Sequence, residues 1–296
     1  MQLKFRELTL ADKALYDSFA GRTENTKYSF ALSFAWRDTY GLRFAETPYG
    51  LAFISGYTKP DCYLVSPLLK SCKADASELF LALERYIIEK RGSYLMKLVC
   101  REMTDKLERD LPGRYRFTLD RDNSEYVYST QSLAELKGKK LHSKRNFINA
   151  FEREYDYSFA VYDDSYYDQC MAVQQQWAEG KGVSQEVEET RAIACALKYH
   201  RELELRIGMI ITGGKVIAFS AAEKHTKTGS AVLFEKGLVS YPGIFQLINR
   251  EMARNLLADT PYVNRGEDMG IEGMRRAKQS YQPEFLIDKF DCELKG

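Results

Sequence analysis

The chain has 296 residues, 45% hydrophobic and 29% charged, with a formal net charge of +1. That length suits one large domain or two ordinary ones, and the apolar share supports a sizeable core and argues against disorder. Near-neutral charge excludes a polyanion partner held by the whole surface, so any basic face must be local. Six Cys without a C-x-x-C pair and three scattered His give no zinc spacing, and read as reduced thiols of a cytoplasmic protein. The opening MQLKFRELTLADK lacks a signal peptide's apolar core, and no run approaches the ~20 apolar residues that span a bilayer. The expectation is a soluble, cytoplasmic protein whose membrane contact would be peripheral.

In chain order, the first half starts with a helix around 11–19, then β-type runs at 50–55 and 62–67. Residues 74–89 form a strongly periodic helix with Leu79, Leu83, Tyr86 and Ile87 on one face. A strand at 94–99, a short helix at 105–110 and strands at 115–119 and 125–128 follow. In the second half, 131–154 reads as one helix, very basic at its centre. A strand at 157–162 precedes helices at 166–179 and 185–199, broken at Gly180-Lys181-Gly182. Strands at 203–211, 216–223 and 230–235 come next, the first two joined by the hairpin signal Gly213-Gly214. Pro242-Gly243 opens a helix running to 257, with Ile244, Leu247, Ile248 and Met252 on its core face. Strand 262–264, helix 271–281 (Ile271, Met274 and Ala277 at core spacing) and strand 285–292 close the chain. The order β-α-α-β-β-β-α-β-α-β implies a mixed sheet with helices on both faces.

Charge gathers where strand 262–264 hands over to a helix, a place where folds of this class put their sites. Asn264, Arg265, Glu267 and Asp268 crowd that strand end. A carboxylate there, Glu267 or Asp268, suits holding an amine or taking its proton. Arg265 suits a phosphate or carboxylate fork. The structural alternative is that Asp268 caps the next helix and Arg265 pairs with it. Glu223 and Glu235, near the ends of neighbouring strands, form either an amine-binding pair or exposed strand-end charges. Lys278, one turn from Tyr281, is a phosphate contact or a solvated lysine. The run KGKKLHSKR (137–145) carries five Lys or Arg in nine residues. Lys139, Lys140, Lys144 and Arg145, with Asn146, form either a phosphate-binding face for tRNA or another anion, or a solvated helix face.

The element order matches the GNAT-type acyltransferase fold. The segments KGKKLHSKRNFINAF, VIAFSAAEK, FEKGLVSYPGIFQLIN and YVNRGEDMGIEGMRRAKQSYQP, with Trp36-Arg37-Asp38 and Tyr40-Gly41, resemble an uncharacterised bacterial family. It is related to the C-terminal domain of phosphatidylglycerol lysyltransferase. The resemblance implies an α+β chain of two tandem GNAT-like domains with mixed, mostly antiparallel sheets flanked by helices. They divide into 1–129 and 130–296, the second carrying the site. It also implies an acyl or aminoacyl transferase acting on an amine or hydroxyl, with aminoacyl-tRNA as the favoured donor. The alternatives are an acyl-CoA-dependent N-acetyltransferase and a non-catalytic anion-binding module. By the same resemblance Tyr281 is a candidate general acid. The loop holding Gly237, Ser240, Tyr241 and Gly243 corresponds to the pyrophosphate loop of acyl-CoA enzymes. Only Gly243 fits that loop's pattern, and Pro242 removes an N–H donor, which argues against ordinary acetyl-CoA binding. Backbone amides near 237–241 remain candidates for polarising a carbonyl.

Overall fold

The computed structural model describes residues 1–19, 25–179 and 183–296. They form two compact units, Met1–Glu125 with Glu267–Ile271 and Ile287–Gly296, and Tyr126–Gly266 with Glu272–Leu286. There are two seven-stranded sheets.

The first sheet runs Arg6–Glu7, Arg43–Thr47, Gly50–Ser55, Tyr63–Leu69, Met96–Cys100, Lys289–Leu294, Tyr115–Leu119. Its neighbours are antiparallel except Tyr63–Leu69 beside Met96–Cys100, which is parallel. Parallel neighbours need a crossover, and helix Ser77–Arg91 supplies it. Leu79, Phe80, Leu83 and Ile87 are buried on the face that the sequence period marks, and left-handed Gly92 ends the helix.

The second sheet repeats the plan. It runs Phe285–Ile287, Glu125–Ser129, Tyr262–Asn264, Gly229–Gly237, Lys215–Lys224, Arg206–Thr212, Ser158–Val161. Here the parallel join lies between Gly229–Gly237 and Tyr262–Asn264, and helix Ile244–Asn255 crosses over. That helix buries Ile244, Leu247, Ile248 and Met252 in a core with Tyr126, Tyr128, Phe151, Ile210 and Val263. The result is the expected α+β chain with two mostly antiparallel sheets flanked by helices.

Several boundaries differ from the sequence reading. The units are not separated by one cut near 129. Lys289–Leu294 belongs to the first sheet, where it satisfies its ladder on both sides, against Met96–Cys100 and Tyr115–Leu119. The expected strand 285–292 is accordingly two strands in two sheets. The expected helix 131–154 is also two, Thr130–Glu135 and His142–Glu154. Leu136 and Gly138 both take left-handed backbone between them, at φ 51° and 89°, which a continuous helix cannot accommodate. Helix Glu272–Gln279 has no buried residue, so Ile271, Met274 and Ala277 are not core. Strand Arg43–Thr47 and helix Phe30–Trp36 were not foreseen. The expected break at 180–182 lies outside the described residues. No helix among the described residues is long and apolar enough to cross a membrane.

Within the first unit, Lys289 and Glu125 form an ion pair at 3.2 Å with both side chains fully buried. Lys289 also bonds Asn25 Oδ1, while Glu125 accepts from the Thr26 amide at 3.1 Å and hydroxyl at 2.7 Å. Breaking such a pair strands a charge in the core. Lys289→Met should therefore cost about 3–5 kcal/mol in urea unfolding. Lys289→Met combined with Glu125→Gln should recover much of the loss.

Candidate functional site

The parallel strands of the second sheet pair only at Gly229–Tyr262, Ser230–Val263 and Ala231–Asn264. The longer strand then continues to Gly237 beside Lys215–Lys224. The shorter one turns away, because the Arg265 amide donates to Tyr126 O at 3.0 Å and the Tyr126 amide to Gly266 O at 3.1 Å. A fork opens between the two strands, as it must where parallel strands part.

Arg265 fills it. Its Nη2 donates to Glu235 Oε1 at 2.9 Å, with side-chain exposures of only 12% and 15%. Asn249 Nδ2, from the crossover helix, reaches Glu235 Oε2 at 3.4 Å. The guanidinium lies 4.9 Å from the Tyr281 ring centroid and 5.7 Å from that of Tyr128. These two rings meet edge to face. Lys144 enters from the helix His142–Glu154 and places Nζ 4.4 Å over the Tyr281 ring, with 8% of the residue exposed. No carboxylate among the described residues pairs with Lys144.

Burial pushes the Tyr281 phenol up to about 12, with Arg265 opposing the shift and Glu235 adding to it. Burial raises Tyr128 as well, so both are protonated phenols near neutrality. Burial, then the Arg265 charge, hold Lys144 below the ordinary lysine value. Burial also opposes the Arg265 cation, but Glu235, Tyr281 and Tyr128 more than offset it and raise its pKa. Among the buried polar atoms of this unit that have no hydrogen-bond partner are Arg265 Nη1, Asn249 Oδ1 and Ser220 Oγ. Ser220 lies directly across the ladder from Glu235, so their side chains share a face.

The structure thus brings together Lys144, Glu235, Arg265 and Tyr281 of the expected residues. It uses others as scaffold. Asn264 Oδ1 accepts from the Gly266 amide at 2.8 Å and shapes the turn. Lys278 is not a solvated lysine: its Nζ donates to the carbonyls of Arg265 and, at 3.2 Å, Gly266. Tyr128 donates to Lys278 O at 2.8 Å, which closes the clamp. Asp268 is fully buried in the first unit, accepting from Arg121 at 3.3 Å and from the Gly270 amide at 3.0 Å. It caps the turn before helix Glu272–Gln279, and its ion pair is with Arg121 where Arg265 was expected. Glu267 is half-buried and also belongs to the first unit. Glu223 does not face Glu235. Ser220 is the register partner of Glu235, and Glu223 stands opposite Ala231, beyond a bulge at Ala221–Ala222. Its Oε1 lies 3.5 Å from His225 Nδ1.

The expected basic helix is dispersed. Lys139 and Lys140 lie exposed in the turn before it. Arg145 caps that turn by donating to Leu136 O and, at 2.9 Å, Gly138 O. Exposed Asn146 bonds His142. In the loop of the expected pyrophosphate site, the amides of Leu238, Tyr241 and Ile244 already donate to Ile217, Leu238 and Tyr241 carbonyls. Ser240 is exposed, and the Tyr241 ring packs 5.0 Å from Tyr155. Gly237 is buried against Ile244. Gly243, at φ +92°, is there for fit: a Cβ would stand 2.6 Å from the Phe147 carbonyl. Sequence reasoning missed Tyr128, Asn249 and Ser220. Asn249 left a signal, as a polar residue among the apolar positions of IFQLINREM.

The forked, duplicated sheets are those of tandem GNAT-like proteins. The chain aligns with a tandem GNAT protein from the clavulanic acid pathway at TM-score 0.54, 9% identity, covering 100% of this chain and 99% of that one. The family model for "Phosphatidylglycerol lysyltransferase, C-terminal" matches residues 20–293, and the chain belongs to that family. A conserved protein of unknown function from Bacteroides thetaiotaomicron is 31% identical at TM-score 0.91, over 99% of this chain and 100% of that one. L-PGS from Bacillus licheniformis is 15% identical at TM-score 0.68, over 95% and 91% of the two chains. A search of curated protein sequences finds no match.

A buried lysine without a counter-ion destabilises the unliganded fold. Lys144→Met should raise stability by about 1 kcal/mol near neutral pH. Because the folded pKa is depressed, the unfolded chain binds more protons between that pKa and 10.5. The wild type should therefore gain on the variant as pH rises through this window. A pH-independent difference in urea midpoints would rule out the buried cation as the cause.

Proposed function

We propose that this protein is an aminoacyl transferase that works at the fork of its second unit, taking an activated aminoacyl ester, such as that of a charged tRNA, to an amine or hydroxyl acceptor. Family membership supports acyl-transfer chemistry. The observation that carries the reading is the buried charge cluster of Lys144, Arg265, Glu235 and Tyr281. Two cations buried against one carboxylate cost the fold stability, and clusters of this kind gather at functional sites. The loop around Gly243 favours an ester donor over acyl-CoA, because its amides and its glycine serve internal packing.

In the reaction the acceptor attacks the ester carbonyl. A new C–N or C–O bond forms and the ester C–O bond breaks. The acceptor loses a proton to solvent and the leaving oxygen takes one up. Tyr281 is the donor for that second proton. Its raised pKa suits it to a strongly basic leaving oxygen, and Arg265 and Lys144 beside the ring stabilise the phenolate left behind. Tyr281 then regains a proton from solvent. Glu235 holds Arg265 in place. We place this activity in the cytoplasm.

The test follows loss of labelled amino acid from charged tRNA, with phosphatidylglycerol vesicles or soluble amines as acceptors. Tyr281→Phe should lower kcat about 100-fold with KM and thermal stability little changed. Protein-independent loss of label, or a Tyr281→Phe enzyme as fast as wild type, would sink the assignment.

A further inference from the structure

The fork has charge left over. Two cations border it, Lys144 and Arg265, and among the described residues one carboxylate, Glu235, pairs with Arg265. Lys278 is spent on two backbone carbonyls, and Arg265 uses Nη2 on Glu235. What remains is a pair of unused cationic donors. Lys144 Nζ and the Arg265 guanidinium lie 4.4 and 4.9 Å from one ring centroid, so both border Tyr281, close enough for the Arg265 charge to act on Lys144. Arg265 Nη1 is buried with no hydrogen-bond partner. The Lys144 residue is 8% exposed and meets no anion among the described residues. Leaving such donors empty is costly, and water satisfies their hydrogen bonds but not their charge.

We propose that the fork binds an anionic oxygen group of the substrate, a phosphate or a carboxylate, between Lys144 Nζ and Arg265 Nη1. The planar guanidinium offers its free edge to one oxygen while the ammonium meets another as a point charge. Asn249 Oδ1 and the Ser220 hydroxyl are further unsatisfied polar atoms beside Glu235. They accept hydrogen bonds from hydroxyl or amine groups that flank the anion. The site's chemistry differs from that of the exposed lysines at 139 and 140. Those attract polyanions at long range, and this one recognises a single group after desolvating it. The functional meaning of this binding rests on the transfer reading above, whereas the binding itself does not.

The probes are dimethyl phosphate and acetate, titrated calorimetrically into the intact protein at constant ionic strength, with chloride as the control. They stand for a phosphodiester, as in a nucleic acid or a lipid headgroup, and for a carboxylate, as in an amino acid or peptide. Wild type should bind at least one of them more tightly than chloride, and the preferred probe assigns the source. Lys144→Met should weaken that binding tenfold or more, equivalent to about 1.4 kcal/mol. Lys144→Arg, which keeps the cation, should bind more tightly than Lys144→Met. Thermal unfolding of each variant shows that it is folded. If neither probe binds wild type better than chloride, or if Lys144→Met binds as wild type does, the inference fails. Its failure leaves the transfer assay unaffected. Anion binding without any transfer would instead retain this site and remove the proposed reaction.

Discussion

The Arg265–Glu235 pair is the contact on which the second unit's site depends. It forms across a gap that the sheet itself creates, where two parallel strands pair for three residues and then part. Glu235 lies on the strand that continues, and Arg265 is the first residue past the one that stops. The backbone fixes both. Glu235 is held by its ladder to Ser220, and Arg265 by its hydrogen bond to Tyr126. The side chains therefore meet with little freedom left to lose, which is the condition under which a buried ion pair can hold against its desolvation cost. Tyr128, Tyr281 and Lys144 then pack around a guanidinium whose position is already set.

The parts of the fold visible in the sequence were those set by local period and turn chemistry. Gly213 and Gly214 have φ of 56° and 77°, the left-handed pair that a tight hairpin requires. The two crossover helices showed their core faces in the spacing of Leu79, Leu83 and Ile87 and of Ile244, Leu247 and Ile248. The strand exchange was not visible. Residues 285–292 carry one unbroken β-type run, and nothing local states that its two halves pair with different sheets. The helix break near Gly138 was written in the glycine, which takes left-handed backbone at φ 89°, although the lysines around it continue a helix-compatible charged run.

The site was legible residue by residue and not as an arrangement. Arg265, Glu235, Tyr281 and Lys144 each stood out by type or position. That Arg265 meets Glu235 and not Asp268 depends on where a parallel ladder ends, a long-range property. The five-cation run misled for a similar reason. A charge cluster in sequence becomes a cluster in space only on one helix face, and here a turn and a helix start send Lys144 inward while Lys139 and Lys140 stay outside.

Duplication of the plan gives a control within the molecule. In the first sheet the shorter parallel strand ends at Cys100, and Arg101 follows it as Arg265 follows Asn264. Arg101 does not meet an acid in a fork. Its guanidinium lies 4.2 Å over the ring of Phe290, on the neighbouring strand Lys289–Leu294. The same topological position thus carries a packed cation–π contact in one unit and a charged, incompletely satisfied cluster in the other. If the fork existed for the stability of the fold, both copies would be expected to fill it in the same cheap way. Among the described residues the second fork keeps a buried donor unpaired, Arg265 Nη1, and that asymmetry is what a packing role alone leaves unexplained.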